Sequence, residues 1–95
     1  MEKDKTIIFT NYVKKVLVTN INKLNKNDAN YNNIVIGAQI IWNDYYKKAS
    51  DGVESLDAAV FRLQCDAKTN IYIKAYIQAF SFFLIVDSQH YTNNF

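Results

Sequence analysis

His90 stands three residues after Asp87 and two after Ser88, a spacing at which an imidazole and a carboxylate could share a proton for acid–base chemistry. These groups fall in a polar C-terminal stretch, Asp87 to Phe95, whereas catalysis needs a geometry held in advance, so a solvated histidine is expected. Cys65 is the single cysteine. A nucleophilic thiolate needs a base and a positive neighbourhood, but its neighbour is Asp66, which points to an inert, partly buried thiol. Asp51, Glu54 and Asp57 are close carboxylates, yet at the start of a helix they suit its macrodipole rather than a reaction. The two glycines, Gly37 and Gly52, make no phosphate-cradling loop, and neither His90 nor Cys65 has partners at metal-ligand spacing. The expectation is a non-enzymatic protein with no catalytic residue, no cofactor and no metal.

Two groups of residues suit recognition instead. Lys14, Lys15, Lys23 and Lys26, with Asn11 and Asn22 and an extension through Lys47 and Lys48, could meet nucleic acid. The charge is uneven: residues 1–50 hold eight lysines against four acids, while residues 51–95 hold three basic residues against five acids. That asymmetry could steer an acidic partner to the first half or let copies associate head to tail. A net charge of +2 and one arginine, Arg62, fall short of a dedicated nucleic-acid binder. The second group, Trp42, Tyr45, Tyr46, Lys47 and Lys48, sets aromatics beside positive charge, the composition of interface hot spots. Trp42 and Tyr45 fall on a core stripe, so Tyr46, Lys47 and Lys48, pointing away from it, are the candidate contacts. At the junctions of an assembly, such tyrosines and lysines could also bind a small anion such as a nucleotide.

The elements that position these residues are predicted to be helices. Proline is absent and the glycines are two, so the turn chemistry of an all-β fold is missing. Phe9, Tyr12, Val13, Val16, Leu17, Ile21 and Leu24 recur at three and four and predict a helix from Asp4 or Thr6 to Leu24. Asn20 inside that stripe is taken to mark a solvated helix end, the alternative being a hydrogen-bonded register residue. Asn25 to Asn30 reads as a loop, with Asp28 or Asn30 as cap. Tyr31, Ile34, Val35, Ala38, Ile41, Trp42 and Tyr45 form the next face through Lys48, where Gly37 beside Ala38 suggests close helix approach. Ile36 and Ile40, on the opposite side, suggest a second contact surface. After the break at Ala49–Gly52, Ser55 caps a third helix, with Val53 in staple position and Leu56, Val60, Leu63 and Ala67 as its stripe.

Ile71 to Val86 carries three clearly polar residues, Lys74, Gln78 and Ser81, at i, i+4 and i+7, which predicts a helix apolar on nearly every other side. Its phase conflicts with the Leu56–Ala67 stripe, so a break is expected near Lys68–Asn70, with Thr69 or Asn70 as cap. The alternative is an α+β fold with a hairpin at 60–77, because Ile71–Ile77 also alternates. The run is too short and too polar for a membrane span of about 20 residues. Tyr72, Tyr76 and Phe83 on this helix join Ile36, Ile40, Tyr46, Lys47 and Lys48 as candidate interaction residues.

The expected architecture is all-α, a compact three- or four-helix bundle forming one domain over residues 1–95, with 87–95 as a loose tail. A 95-residue chain buries only about 60–65% of its unfolded surface. With seven Tyr, six Phe and one Trp, association as a homodimer or higher oligomer is expected to cover the excess. The lone cysteine and the lysine-interrupted N-terminal stretch, unlike a signal peptide, point to the cytoplasm. Asn, Ile, Lys, Tyr and Phe have codons rich in A and T, which suggests a phage, virus, plasmid or low-GC bacterium, with a phage, virus or other mobile element as the expected source. The expected function is binding and inhibition of a host protein or complex by steric occlusion. Nucleic-acid binding, nucleotide binding and an immunity-type role are the alternatives. Bacteriocin immunity proteins are similar in class, being small, lysine-rich helical bundles, without a shared motif.

Overall fold

The computed structural model describes residues 2–80, with side chains from residue 5 onward. The described part is all-α, as expected. Helix α1 (Glu2–Lys23) is followed by a loop and by α2 (Tyr31–Ile41), which runs through a π-helical turn (Trp42–Tyr46) into α3 (Lys47–Ser50). Then come α4 (Leu56–Asp66) and α5 (Ile71–Phe80). The linking residues Ile41, Trp42, Tyr46 and Lys47 all keep right-handed helical torsions, so α2, the π turn and α3 make one rod and the architecture is a four-helix bundle. No strand occurs among the described residues. Val60–Cys65 and Ile71–Ile77, the two arms of the alternative hairpin, are both helical.

Local chemistry explains the boundaries. Asp28 folds the first loop through its carboxylate, which accepts the Asn30 N–H at 2.8 Å, while Asn30 occupies the N-cap of α2 without a side-chain bond. At the end of α3, Gly52 takes φ +77°, and the N–H groups of Gly52 and Val53 donate to the carbonyls of Ala49 and Lys48. This is a Schellman closure, in which glycine relieves the left-handed residue of its Cβ penalty. Ser55 caps α4 by accepting the Ala58 N–H at 3.1 Å. Val53, however, is 70% exposed and staples nothing. Asn70 starts α5, its Oδ1 accepting from the N–H groups of Tyr72 and Ile73 at 2.9 and 3.1 Å.

The core gathers Phe9, Val13 and Leu17 from α1, Ile34, Ala38 and Ile41 from α2, Ala59 and Leu63 from α4, and Ile73, Tyr76 and Ile77 from α5. Helix α5 packs mainly along α2. At their crossing a Cβ built on Gly37 would lie 2.1 Å from the Tyr72 carbonyl oxygen, so only glycine lets these backbones meet. On α5, Lys74 and Gln78 face solvent, as a helix requires, but so do Ile71 and Ala79. The apolar wrap is therefore covered on one side only. Residues 81–86 of the expected helix, Phe83 among them, and the tail with Asp87, Ser88 and His90 lie outside the described residues.

Asn20 corrects the sequence reading. It is buried, and its Nδ2 donates to the Tyr76 hydroxyl at 2.9 Å, so it is the hydrogen-bonded register residue between α1 and α5 rather than a solvated end.

Candidate interaction surface

The π turn decides which aromatics are available for recognition. A helix of constant 3.6-residue period turns Tyr46 about 100° away from the Tyr45 side. The wider π turn absorbs one extra residue and resets the phase, so both tyrosines enter the core, with Tyr45 3% and Tyr46 0% exposed. Tyr46 meets Phe9 edge-on, with ring centroids 5.7 Å apart. Its expected place on a recognition surface is thus overturned, and Tyr76, 1% exposed in the core, is no more accessible. Burial raises the phenols of both above their ordinary range; the neighbouring phenol adds to it for Tyr46, while the Asn20 hydrogen bond opposes it for Tyr76. The Tyr46 hydroxyl is buried without a hydrogen-bond partner.

Arg62 holds the π turn from α4. Its guanidinium lies over the Tyr45 ring, 4.3 Å from the centroid, and donates to the Asp44 carbonyl oxygen and to the Glu54 carboxylate. The Glu54 hydrogen bond leads in raising the guanidinium pKa above its usual range. The Tyr45 hydroxyl in turn donates to Asp66 Oδ2 at 2.6 Å; burial first, then this bond, raise that phenol as well. Arginine's planar fork suits this combined stacking and hydrogen bonding. The arginine is thus committed inside the fold, and sequence reasoning saw only its rarity.

The remaining candidates are scattered. Lys47 and Lys48 are exposed on α3. Ile36 is 37% exposed, but Ile40 packs partly against the core, so the opposite face of α2 offers one exposed isoleucine rather than a pair. Tyr72 is half-buried beside the Gly37 crossing. Cys65 is exposed rather than partly buried.

What the structure brings together is a different set. Antiparallel α1 and α2 leave between them an open groove of about 260 Å³. One wall is Lys14, Leu17, Val18, Ile21 and Asn22 from α1; the other is Val35, Ala38 and Gln39 from α2 with Trp42 and Asn43 from the π turn. Each wall repeats at three and four over two turns, so the groove is about 12 Å long. Its floor is apolar and its rim polar. At one end the Lys14 ammonium sits 5.4 Å from the centre of the Trp42 ring. Trp42, expected to be purely structural, is half-buried and lines this groove, and Val18 is 53% exposed within it. The one sequence signal was Val18 itself, an apolar residue just outside the α1 stripe.

The described residues contain no group of three or more His, Cys, Asp or Glu that could hold a metal ion. Among them, no helix is long and apolar enough to cross a membrane. Comparison with protein-family models, with curated proteins and with solved structures finds no match for this chain.

Proposed function

We propose that this chain is a non-enzymatic interaction protein that acts by covering a protein surface through the α1/α2 groove. The observation that carries this reading is the groove: an apolar floor between two helices, a polar rim, and a tryptophan under a lysine at its end. Such a channel fits the apolar stripe of a partner helix, and an aromatic with a neighbouring cation is a favoured anchor. The abundance of Asn, Ile, Lys, Tyr and Phe, whose codons are rich in A and T, supports a phage, virus or mobile element as source; a host protein or complex is then the surface blocked and a homo-oligomer the acting form.

A photo-crosslinking amino acid at position 18, compared with one at the exposed Lys74 position on α5, tests this in cells expressing the gene. Protein adducts at 18 and not at 74 are expected. No adduct at 18, or equal labelling at both, overturns the groove as the working surface.

A second reading rests on Lys14, Lys15, Lys23 and Lys26, all exposed along α1 and the loop after it. Nucleic-acid binding there would weaken steeply with salt, whereas a groove anchored by apolar side chains would lose much less.

A further inference from the structure

The surface of α4 that faces away from the core matches the groove in length, charge and chemistry. At about 100° per residue, Phe61 lies opposite the buried side marked by Ala59 and Leu63. It is 69% exposed, a large aromatic left uncovered by the described residues. Asp57 precedes it by one turn and Cys65 follows by one, both exposed, so the face from 57 to 65 is again about 12 Å long. Val53, 70% exposed, extends the apolar surface toward the preceding turn.

The charges of the two surfaces are opposite. Residues 5–43, which build the groove hairpin, hold Lys5, Lys14, Lys15, Lys23 and Lys26 against Asp28 alone. Residues 51–66 hold Asp51, Glu54, Asp57 and Asp66 against Arg62 alone, and Arg62 is already paired with Glu54. A groove with Lys14 at its rim, on a basic hairpin, and an aromatic ridge with Asp57 one turn from Phe61, on an acidic segment, thus occur on one chain, on different helices.

We infer that the groove of one molecule takes the α4 face of a second copy, with Phe61 seated between Val18 and Trp42. This inference rests on the groove as a protein-binding surface and names its occupant inside the homo-oligomer, while the groove left open at the end of an unclosed chain is the one that meets a host protein. The contact is heterologous, since the two patches differ, so copies add head to tail and the chain grows until a ring closes or a filament extends. Two helical turns on each side form a small interface, so association is weak, concentration-dependent and, because Lys14 on a basic hairpin faces Asp57 on an acidic segment, weakened by salt.

The test uses the full chain and two surface variants, Val18→Glu in the groove and Phe61→Ser on α4, both at positions more than half exposed. Light scattering across a concentration series should show wild-type mass rising above the 11.0 kDa monomer. Each variant alone, with helical content unchanged by circular dichroism, should lose self-association at least tenfold. Mixed in equal amounts they should form a two-chain species and stop there, because the intact groove of Phe61→Ser accepts the intact α4 of Val18→Glu and no second contact is left. Trp42, the single tryptophan, should report the same step by a shift in its fluorescence. A wild type that stays monomeric throughout, a variant that associates like the wild type, or a mixture that fails to pair would each overturn the inference. The two proposals fail separately: adducts at position 18 to another protein but never to this chain would leave the groove as an interaction surface and remove α4 as its occupant.

Discussion

Helix α2 meets its two neighbours in opposite ways. Toward α5 it closes until backbone touches backbone: Gly37 leaves no room for a Cβ beside the Tyr72 carbonyl, and Ile73, Tyr76 and Ile77 are buried on the facing side. Toward α1 it stops short, with Trp42 and Lys14 at one end and Val18 exposed in the gap. The seam uses the smallest residue to bring helices together, while the groove is lined by branched and aromatic side chains that still leave an accessible floor. Interiors are packed to crystal-like density, so apolar walls left open at one place are where a partner can gain the burial that the described residues do not supply.

The strongest way to break this contrast is Gly37→Ala. In most helices that exchange stabilises by about 1 kcal/mol. Here the sign reverses, because the new carbon would meet a backbone carbonyl that no rotamer change can move aside. A loss of about 3 kcal/mol or more is expected in chemical denaturation. A neutral or stabilising result would mean that the seam is looser than its geometry implies.

High pH should open the closed side next. The phenols of Tyr45, Tyr46 and Tyr76 are all held above their ordinary range, first by burial. A raised folded-state pKa means that the native chain keeps protons the unfolded chain releases. The stabilisation is therefore complete below about pH 10 and is lost as pH rises beyond it. The tyrosinate absorbance contributed by these three should appear together with loss of helical circular dichroism. Ionisation of these three with the helices intact would contradict their burial.

Removing the clip at the π turn comes after that. Arg62→Met gives up the stack on Tyr45 and the bonds to Glu54 and the Asp44 carbonyl. The guanidinium side chain is 37% exposed, so solvent screens much of this and about 1 kcal/mol is expected, measured as a fall in the denaturation midpoint. Arg62→Lys should recover less than half of it, since an ammonium cannot stack and fork at once.

These residues also mark how far the sequence could be read. Ser55, Asn70 and Gly52 act within a few positions of themselves, and each sets the boundary that its residue type implied. Gly37 was legible because glycine inside an apolar helical face has few other uses. Tyr46 was misplaced because periodicity assumes a constant 3.6-residue turn, and the π turn breaks that assumption. The adjacent Tyr45 and Tyr46, two large aromatics that a regular helix would separate, were its only trace. Asn20 was misread because its partner, Tyr76, lies 56 positions away and the bond depends on how α1 meets α5. The groove was invisible for the same reason: Leu17, Ile21, Val35, Ala38 and Trp42 in its walls sit on the expected stripes, but the gap depends on the angle between helices, which side chains across the bundle set together.

Two buried tyrosines allow a sharper comparison within the core. Tyr76→Phe leaves the Asn20 amide without its acceptor, and a cost of about 1 kcal/mol is expected. Tyr46→Phe is the same chemical change with the opposite sign, since it removes a buried hydroxyl that has no partner, and a gain of up to about 1 kcal/mol is expected. Equal effects from the two variants in thermal denaturation would show that the Asn20–Tyr76 bond does not persist in solution.

The smallest effect belongs to the open side. Val18→Ser trims the groove wall at a position already 53% exposed, so monomer stability should change by less than about 0.5 kcal/mol. Set beside Gly37→Ala, adding one carbon to the seam should cost several times more than cutting back a branched side chain at the groove. The two changes therefore test which side of α2 is finished in the monomer. If Val18→Ser, measured well below any self-association, destabilised by 2 kcal/mol or so, as large-to-small changes at closed sites do, then the groove would be shut in the isolated chain. The α1/α2 gap would then be part of the core rather than a place for a partner.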